Sequence, residues 1–317
     1  MIEKSSARYA NVEVAVIVLG YKNVERTSSC VTNILKNNDV KIYVVENESD
    51  GMDHFAGIPE VTTILNRQNL GFSTGMNIGI RRALFDGYNI FVLLNNDCIV
   101  TPGAIEALVI ATFRDETTGL VSANRAFSSS YSKRVNGSNF DSMDLPGDLT
   151  AMNFKKSKFR NKEIGIVTGF CMCTRRDVLN KVGLLDEDFF FGKEDDEFSV
   201  RITNAGYRLL EVGTSIVLHH VNSSIYDSYA KSVDFLAYHM GRGRALLERK
   251  THQNQFIQVT LTFLETCRIF MKTFVIFHKM SFSIFKSSIS GFRNGNRCEI
   301  HTPPAIAVHE VGPNRNA

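Results

Sequence analysis

Residues 90–98 read IFVLLNNDC, five apolar residues followed without transition by Asn95, Asn96 and Asp97. An apolar, β-branched and aromatic run of this length predicts a strand over Ile90–Leu94. Earlier runs predict further strands at Val14–Leu19, Lys41–Glu46 and Thr62–Leu65, and helical periodicity predicts helices at Thr27–Leu35 and Thr74–Leu84 between them. Strands alternating with helices over some 120 residues are the signature of βαβ units and a mainly parallel sheet, so the fold class is α/β and Rossmann-like. In such a sheet, polar side chains at the C-terminal end of a strand sit in the crevice where ligands bind. A hard cation such as Mg²⁺ or Mn²⁺ takes carboxylate, water and phosphate oxygens, which makes Asp97 a candidate ligand. Taken alone, the same triplet is also what an Asn-rich turn looks like.

Further along, Pro102 is placed where a first helical turn tolerates it and opens a helix over Gly103–Phe113. Residues 124–162 are rich in Ser, Asn, Lys and Asp without periodicity and predict a long surface segment. Order returns at Gly165–Thr174, followed by a short helix at Arg176–Val182 and then by LLDEDFFFGKEDDEFSVRITNAGYRL, residues 184–209. Within that block Glu194, Asp195, Asp196 and Glu197 follow three phenylalanines. Acids at a helix N-terminus are favoured by the macrodipole alone. Beside an aromatic wall and one another, however, they tend toward raised pKa values, which suits a general base working near neutral pH.

Two more patterns carry chemistry. Gly71, Gly75 and Gly79 recur every four residues in NLGFSTGMNIG, residues 69–79, laying a bare stripe along one helix face. The stripe serves close helix–sheet packing or a nucleotide equally well, and its spacing matches neither phosphate-loop pattern. In VLHHVNSS, residues 217–224, His219 and His220 point to opposite faces of a strand, so one of them at most faces a given metal.

Composition sets the outer limits. The 317-residue chain is 44% hydrophobic and 22% charged, an ordinary globular mixture with a net charge of +3. From Arg244 to Glu299 nine Lys/Arg face three Asp/Glu, a surplus of six, so the remainder is net negative and the basic character is C-terminal. No nucleic-acid-binding module accompanies it, and anionic lipid is the expected partner. Six scattered cysteines without a C-x-x-C pair fit a reducing compartment. The apolar run near the N-terminus is too short for a spanning helix and lacks a small-residue cleavage site, so no signal peptide is expected. Beyond Tyr238 the pattern is helical; Glu265, Arg268, Lys272, Lys279 and Lys286 fall on one face, as in an interfacial helix on anionic lipid or a helix packed on the core. The expected organisation is a catalytic domain over 1–237, an amphipathic helical segment over 238–298 and a disordered tail over 299–317.

Taken together, VAVIVLGYKN, VVENES, NLGFSTGMNIGI, LLNNDC, TGFCMCTRRDVLNKVGLLDEDFFFGKEDDEFSVR and LHHVNSS followed by GRGRALLERK resemble the inverting family 2 glycosyltransferases, in particular rhamnosyltransferase-like members that build bacterial surface polysaccharides. The resemblance runs from Val14 to Arg249 and continues weakly to Gly295. It implies a GT-A fold and transfer of a sugar, rhamnose by the nearest likeness, from a nucleoside-diphosphate donor to a hydroxyl of a glycan or lipid-linked acceptor. It implies a divalent cation at Asp97, with His219 completing the metal site, and Asp195 as catalytic base with Glu194 beside it. The donor site it implies comprises Tyr21, Glu46, Asn69, Gly71, Phe72, Gly75, Asn77, Asn95, Asn96 and Arg242. The expected location is the cytoplasmic face of a membrane, held peripherally. Glu46 stands where the family usually has Asp, and Asn95 where it often has Asp; these departures leave a catalytically silent scaffold or binding subunit as the alternative. A sugar nucleotidyltransferase would want a glycine-rich basic loop where this chain has LGYKNVER.

Overall fold

The computed structural model describes residues 13–124, 160–219, 233–251, 260, 264, 267 and 282–306. Most of the expected surface segment after 124, His220, the charges at Glu265, Arg268, Lys272 and Lys279, and the tail after 306 lie outside these residues.

The predicted strands form, each extended by a residue or two: β1 (Val14–Tyr21), β2 (Lys41–Asn47), β3 (Val61–Leu65) and β4 (Ile90–Asn95). They run parallel in the order β3-β2-β1-β4. The first helix, α1 (Val24–Asn37), starts three residues before its predicted beginning because Asn23 caps it, its Oδ1 accepting from the Arg26 N–H at 2.9 Å. The second, α2 (Gly71–Phe85), brings the glycine stripe onto the sheet. A Cβ on Gly79 would lie 2.5 Å from Ile17, and one on Gly75 2.6 Å from Leu19, so the stripe serves close helix–sheet packing.

The second half of the sheet was less visible in the sequence. After β5 (Cys98–Val100) and α3 (Ala104–Phe113) comes β6 (Thr118–Asn124), which sequence periodicity did not single out, and a two-residue β7 (Lys162–Glu163). Where order returns after Gly165, the strand is β8 (Cys171–Arg175), which lies antiparallel between β4 and β6. Then follow α4 (Arg176–Val182), at its predicted bounds, α5 (Glu194–Asn204) and the long β9 (Arg208–His219). The full order is β3-β2-β1-β4-β8-β6-β9-β5, with β7 alongside β9.

Alternate residues of the central strands feed two cores. Val16 and Val18 join Cys30, Ile34, Val92 and Leu108 on the α1 and α3 face; Ala15 and Ile17 join Met76, Ile80, Leu93 and Phe198 on the α2 and α5 face. Cys30, Cys98, Cys171 and Cys173 are buried in the first core, and all six cysteines are unpaired. Burial pushes the Cys30 and Cys171 thiols up to about 12, so they behave as small apolar groups.

The C-terminal part supplies α6 (Val233–Thr251) and α7 (Phe282–Arg297). They meet at glycines: a Cβ on Gly241 would strike the Ser288 carbonyl, and one on Gly291 the Tyr238 carbonyl. No described helix is long and apolar enough to cross a membrane. Residues 299–306, expected to be a disordered tail, instead have defined partners: the Leu184 N–H donates to the Pro304 carbonyl at 2.9 Å, and the His301 N–H to Asp188 Oδ2 at 2.8 Å.

Candidate functional site

The site begins where β4 ends. The Asn95 N–H donates to the Phe170 carbonyl at 3.0 Å, so the chain leaving β4 stays tied to the chain entering β8. Two residues later β5 pairs antiparallel with the end of β9 in the register Cys98↔His219. That strand reaches β5 because its pairing with β6 is interrupted: Ala123 opposes Val212 while Asn124 opposes Ile216. The irregularity bends β9 and delivers His219 to the residue beside Asp97, leaving Nε2 3.1 Å from Asp97 Oδ1. The Phe170 ring stacks on the imidazole with centroids 5.1 Å apart, and Asn95 Nδ2 lies 3.4 Å from the same Nε2.

This pair fits a hard divalent cation. Adjacent ligands of an octahedral ion at Mg²⁺-like distances lie about 3 Å apart, which is the spacing of these two atoms. The other ring nitrogen, Nδ1, is buried and has no hydrogen-bond partner among the described residues; a proton held there leaves Nε2 free to ligate a cation. Cys98 completes a cluster of three groups within 4.8 Å of one another. Its thiol points to the Phe170 carbonyl, and burial followed by the Asp97 charge pushes it well above the ordinary range, so it contributes packing and not a thiolate.

Beside this pair opens a cleft. Asn95, Asn96, Asp97 and Tyr21 form its polar edge; Phe190, Phe191, Phe235 and Leu236 form an apolar wall. Asn47 at the end of β2, with Asn69 and Gly71 at the start of α2, completes it. Asn69 Oδ1 accepts from the Gly71 N–H at 2.9 Å, and Asn47 Nδ2 donates to the Gly71 carbonyl at 2.9 Å. Gly71 has φ +82°, and a Cβ there would also lie 2.5 Å from the Phe190 carbonyl, so glycine is required. The Phe72 N–H closes the junction by donating to that carbonyl at 2.7 Å.

The acids lie next to the same segment. Asp195 Oδ2 accepts from the Gly169 N–H at 2.9 Å, one residue before the phenylalanine that stacks on His219. Its Oδ1 accepts from the Asp196 N–H. Burial first, and then the Asp196 charge, raise its pKa above the usual carboxylate range. Glu194, opening α5, is buried with one carboxylate oxygen lacking a hydrogen-bond partner; burial and the neighbouring Asp195 charge raise it too. Gly169–Phe170 is therefore a two-residue bridge, with a carboxylate of raised pKa on one residue and the Asp97–His219 pair on the next.

The family described as Glycosyltransferase like family 2 matches residues 10–242, well over half of the chain. The protein belongs to that family. Among solved structures, a mannosyltransferase from Pyrobaculum calidifontis, in complex with GDP-Man and Mn²⁺, aligns over 93% of this chain and 94% of its own, with TM-score 0.55 and 12% identity. GalNAc-T7, in complex with UDP, GalNAc and Mn²⁺, aligns over 66% of this chain with TM-score 0.51 and 16% identity, and the alignment spans 44% of that protein's length. Comparison with curated proteins finds no match. At these identities the structural likeness is one of fold, and the fold is GT-A.

Within this glycosyltransferase the expected donor residues divide. Tyr21, Asn69, Gly71, Phe72, Asn95 and Asn96 line the cleft beside Asp97. Four others do not. Glu46 is buried against Gly20, where a Cβ would strike its carboxylate, and its hydrogen bond is to Thr27; on an extended strand it faces away from the side its neighbour Asn47 occupies. Gly75 is covered by Leu19 and Asn47. Asn77 is fully buried, donating to the Leu185 carbonyl at 2.8 Å and accepting from the Leu185 N–H at 3.1 Å, so it fastens α2 to the segment before the acids. Arg242, expected near donor phosphates, donates to Asn294 Oδ1 at 2.9 Å and to the Asp188 carbonyl, committing its guanidinium to the protein. Sequence reasoning missed Asn47, Phe235 and Leu236. The Tyr21↔Asn47 pairing could have pointed to the first; the other two sit in a stretch without a motif.

Proposed function

We propose that this enzyme transfers a sugar from a nucleoside-diphosphate donor to a hydroxyl of a glycan or lipid-linked acceptor with inversion at the anomeric carbon. The observation that carries the reading is the attachment of Asp195 and of the Asp97–His219 pair to the consecutive residues Gly169 and Phe170, next to one cleft. Asp97 and His219 would hold a divalent cation, for which Mn²⁺ in both structural neighbours is supporting precedent. Bound there, the ion supplies Lewis acidity toward the charge developing on a departing diphosphate. Tyr21, Asn69 and Asn96 orient the donor, and the phenylalanine wall excludes water. Asp195 takes the proton from the acceptor hydroxyl as that oxygen attacks from the face opposite the nucleotide, and a single displacement inverts the configuration. Its raised pKa brings it closer to neutrality, where a general base is most effective.

Rhamnose as the sugar and a bacterial surface polysaccharide as the product rest on sequence resemblance, and a cytoplasmic, membrane-peripheral location on the basic C-terminal segment. In α7, the exposed Lys286, Arg293 and Arg297 support that placement. A panel of nucleoside-diphosphate sugars, each with and without Mn²⁺, tests the reading through melting temperature and transfer. A donor that binds in a metal-dependent way and yields an inverted glycoside supports it; hydrolysis or transfer that ignores the metal, or a retained configuration, contradicts it.

A further inference from the structure

The family match ends at residue 242, yet the turn leading to the acids is held from beyond it. Lys250, near the end of α6, places its ammonium 2.7 Å from Asp188 Oδ2, against Asp186 Oδ2, and 2.8 Å from the His301 carbonyl. His301 closes the clasp from the other side, donating its N–H to Asp188 Oδ2 at 2.8 Å while Nδ1 lies 2.7 Å from Oδ1. Asp186 is 1% exposed and the Asp188 side chain 8%, so both carboxylates depend on these partners. Burial pushes the Asp188 carboxyl up, but Lys250 and His301 outweigh it and hold it below the usual range.

From Asp188 to Glu194 the chain has little freedom. Phe189 packs on Leu246 and Leu247 of α6, the Phe190 carbonyl is taken by the Phe72 N–H, and Gly243 of α6 sits directly against the Gly192 carbonyl. Lys193, with φ +77°, then turns the chain into α5. A shift at Asp188 thus passes to the wall of the cleft and to the start of the acid helix.

We propose that Lys250 and His301 are positioning residues for the transfer reaction, fixing the Asp186–Asp188 bend and through it the aim of Asp195. The C-terminal segment then completes the catalytic site of the family domain. This rests on the reading of Asp195 as the base, and the test separates the two.

Full-length wild type, His301→Ala, Lys250→Met and Lys250→Arg are compared by steady-state kinetics and by hydrogen exchange of the peptide covering 189–196. A displaced base lowers kcat by more than it raises donor KM, because Tyr21, Asn69 and Asn96 of the cleft lie outside the displaced segment even though Phe190 and Phe191 lie within it. His301 is largely exposed, so its loss leaves the fold intact, lowers kcat about 3- to 10-fold and speeds exchange over 189–196. Lys250→Met lowers kcat about 10- to 100-fold, the scale of a misplacement near 1 Å, and Lys250→Arg restores most of it. Should Lys250→Met fail to fold, His301→Ala decides alone. Wild-type kcat with wild-type exchange in His301→Ala overturns the proposal, as does a parallel fall of kcat and folded fraction without arginine rescue. A wild type that transfers no sugar overturns the base assignment, and the exchange pattern then still decides whether the clasp holds the acid turn.

Discussion

The two sides of the cleft are built by different means. The edge proposed to hold the metal, Asn95 to Asp97 with His219, is fixed by strand register: β4 against β8 and β5 against β9 place each side chain through backbone ladders. The acid side, from Val182 to Glu194, contains no strand and is held by side chains reaching its carbonyls. Arg201 donates to the carbonyls of Val182 and Leu184, Asn77 to that of Leu185, and Arg242 to that of Asp188. A ladder spreads its stability over many equivalent bonds, whereas each clamp is a single side chain whose loss leaves buried groups unpaired. The edge should therefore tolerate distant substitution, and the acid turn should be sensitive to residues that never touch substrate.

Asp195→Asn gives the largest effect expected. Loss of a general base should lower kcat about 10²–10⁴-fold with donor binding retained, measured in single turnover. The pH dependence has a fixed sign. Activity falls as pH drops through the raised pKa, because the base becomes protonated. Stability runs the other way: a carboxyl with a raised pKa in the fold stabilises below the ordinary Asp range and loses that contribution as pH rises through the raised value. Asparagine should thus raise Tm at neutral and higher pH, and make no difference in strong acid. On the opposite wall, His219→Ala should increase the Mn²⁺ concentration for half-maximal transfer by about 10–100-fold, with little change in kcat at saturating metal. Asn77→Ala sharpens the contrast most, since the sequence suggests a donor contact and the structure shows a clamp. Chemical denaturation should reveal a loss of about 1–3 kcal/mol, while donor KM stays put. A changed KM with unchanged stability would return Asn77 to the donor site.

The parallel half of the sheet was legible because its strands are uninterrupted apolar runs separated by helical periodicity. β6 was not, since Thr118–Asn124 mixes polar and small residues, and the bend in β9 depends on register, which a single strand does not reveal. Asp97, His219 and Asp195 stand out in the sequence by type and order, and in the structure Asp195 bonds Gly169 while His219, beside Asp97, stacks on Phe170. Glu46, Gly75, Asn77 and Arg242 lie away from the cleft lining for one physical reason: a motif gives the residue, but the direction of its side chain is set by partners far along the chain. Asn77 finds its partner at Leu185, and Arg242 finds one at Asn294. Lys250 ends the GRGRALLERK stretch, whose resemblance gives it no role, and His301 carries no motif.

A crystal grown with Mn²⁺ and a nucleoside diphosphate, read by manganese anomalous scattering, addresses the shared site most directly. The account predicts a single strong peak bonded to Asp97 and His219 Nε2, with the diphosphate in the cleft and the Asp195 carboxylate facing the same space. Nucleotide bound with the manganese elsewhere, or with Asp195 turned away from it, would contradict the account.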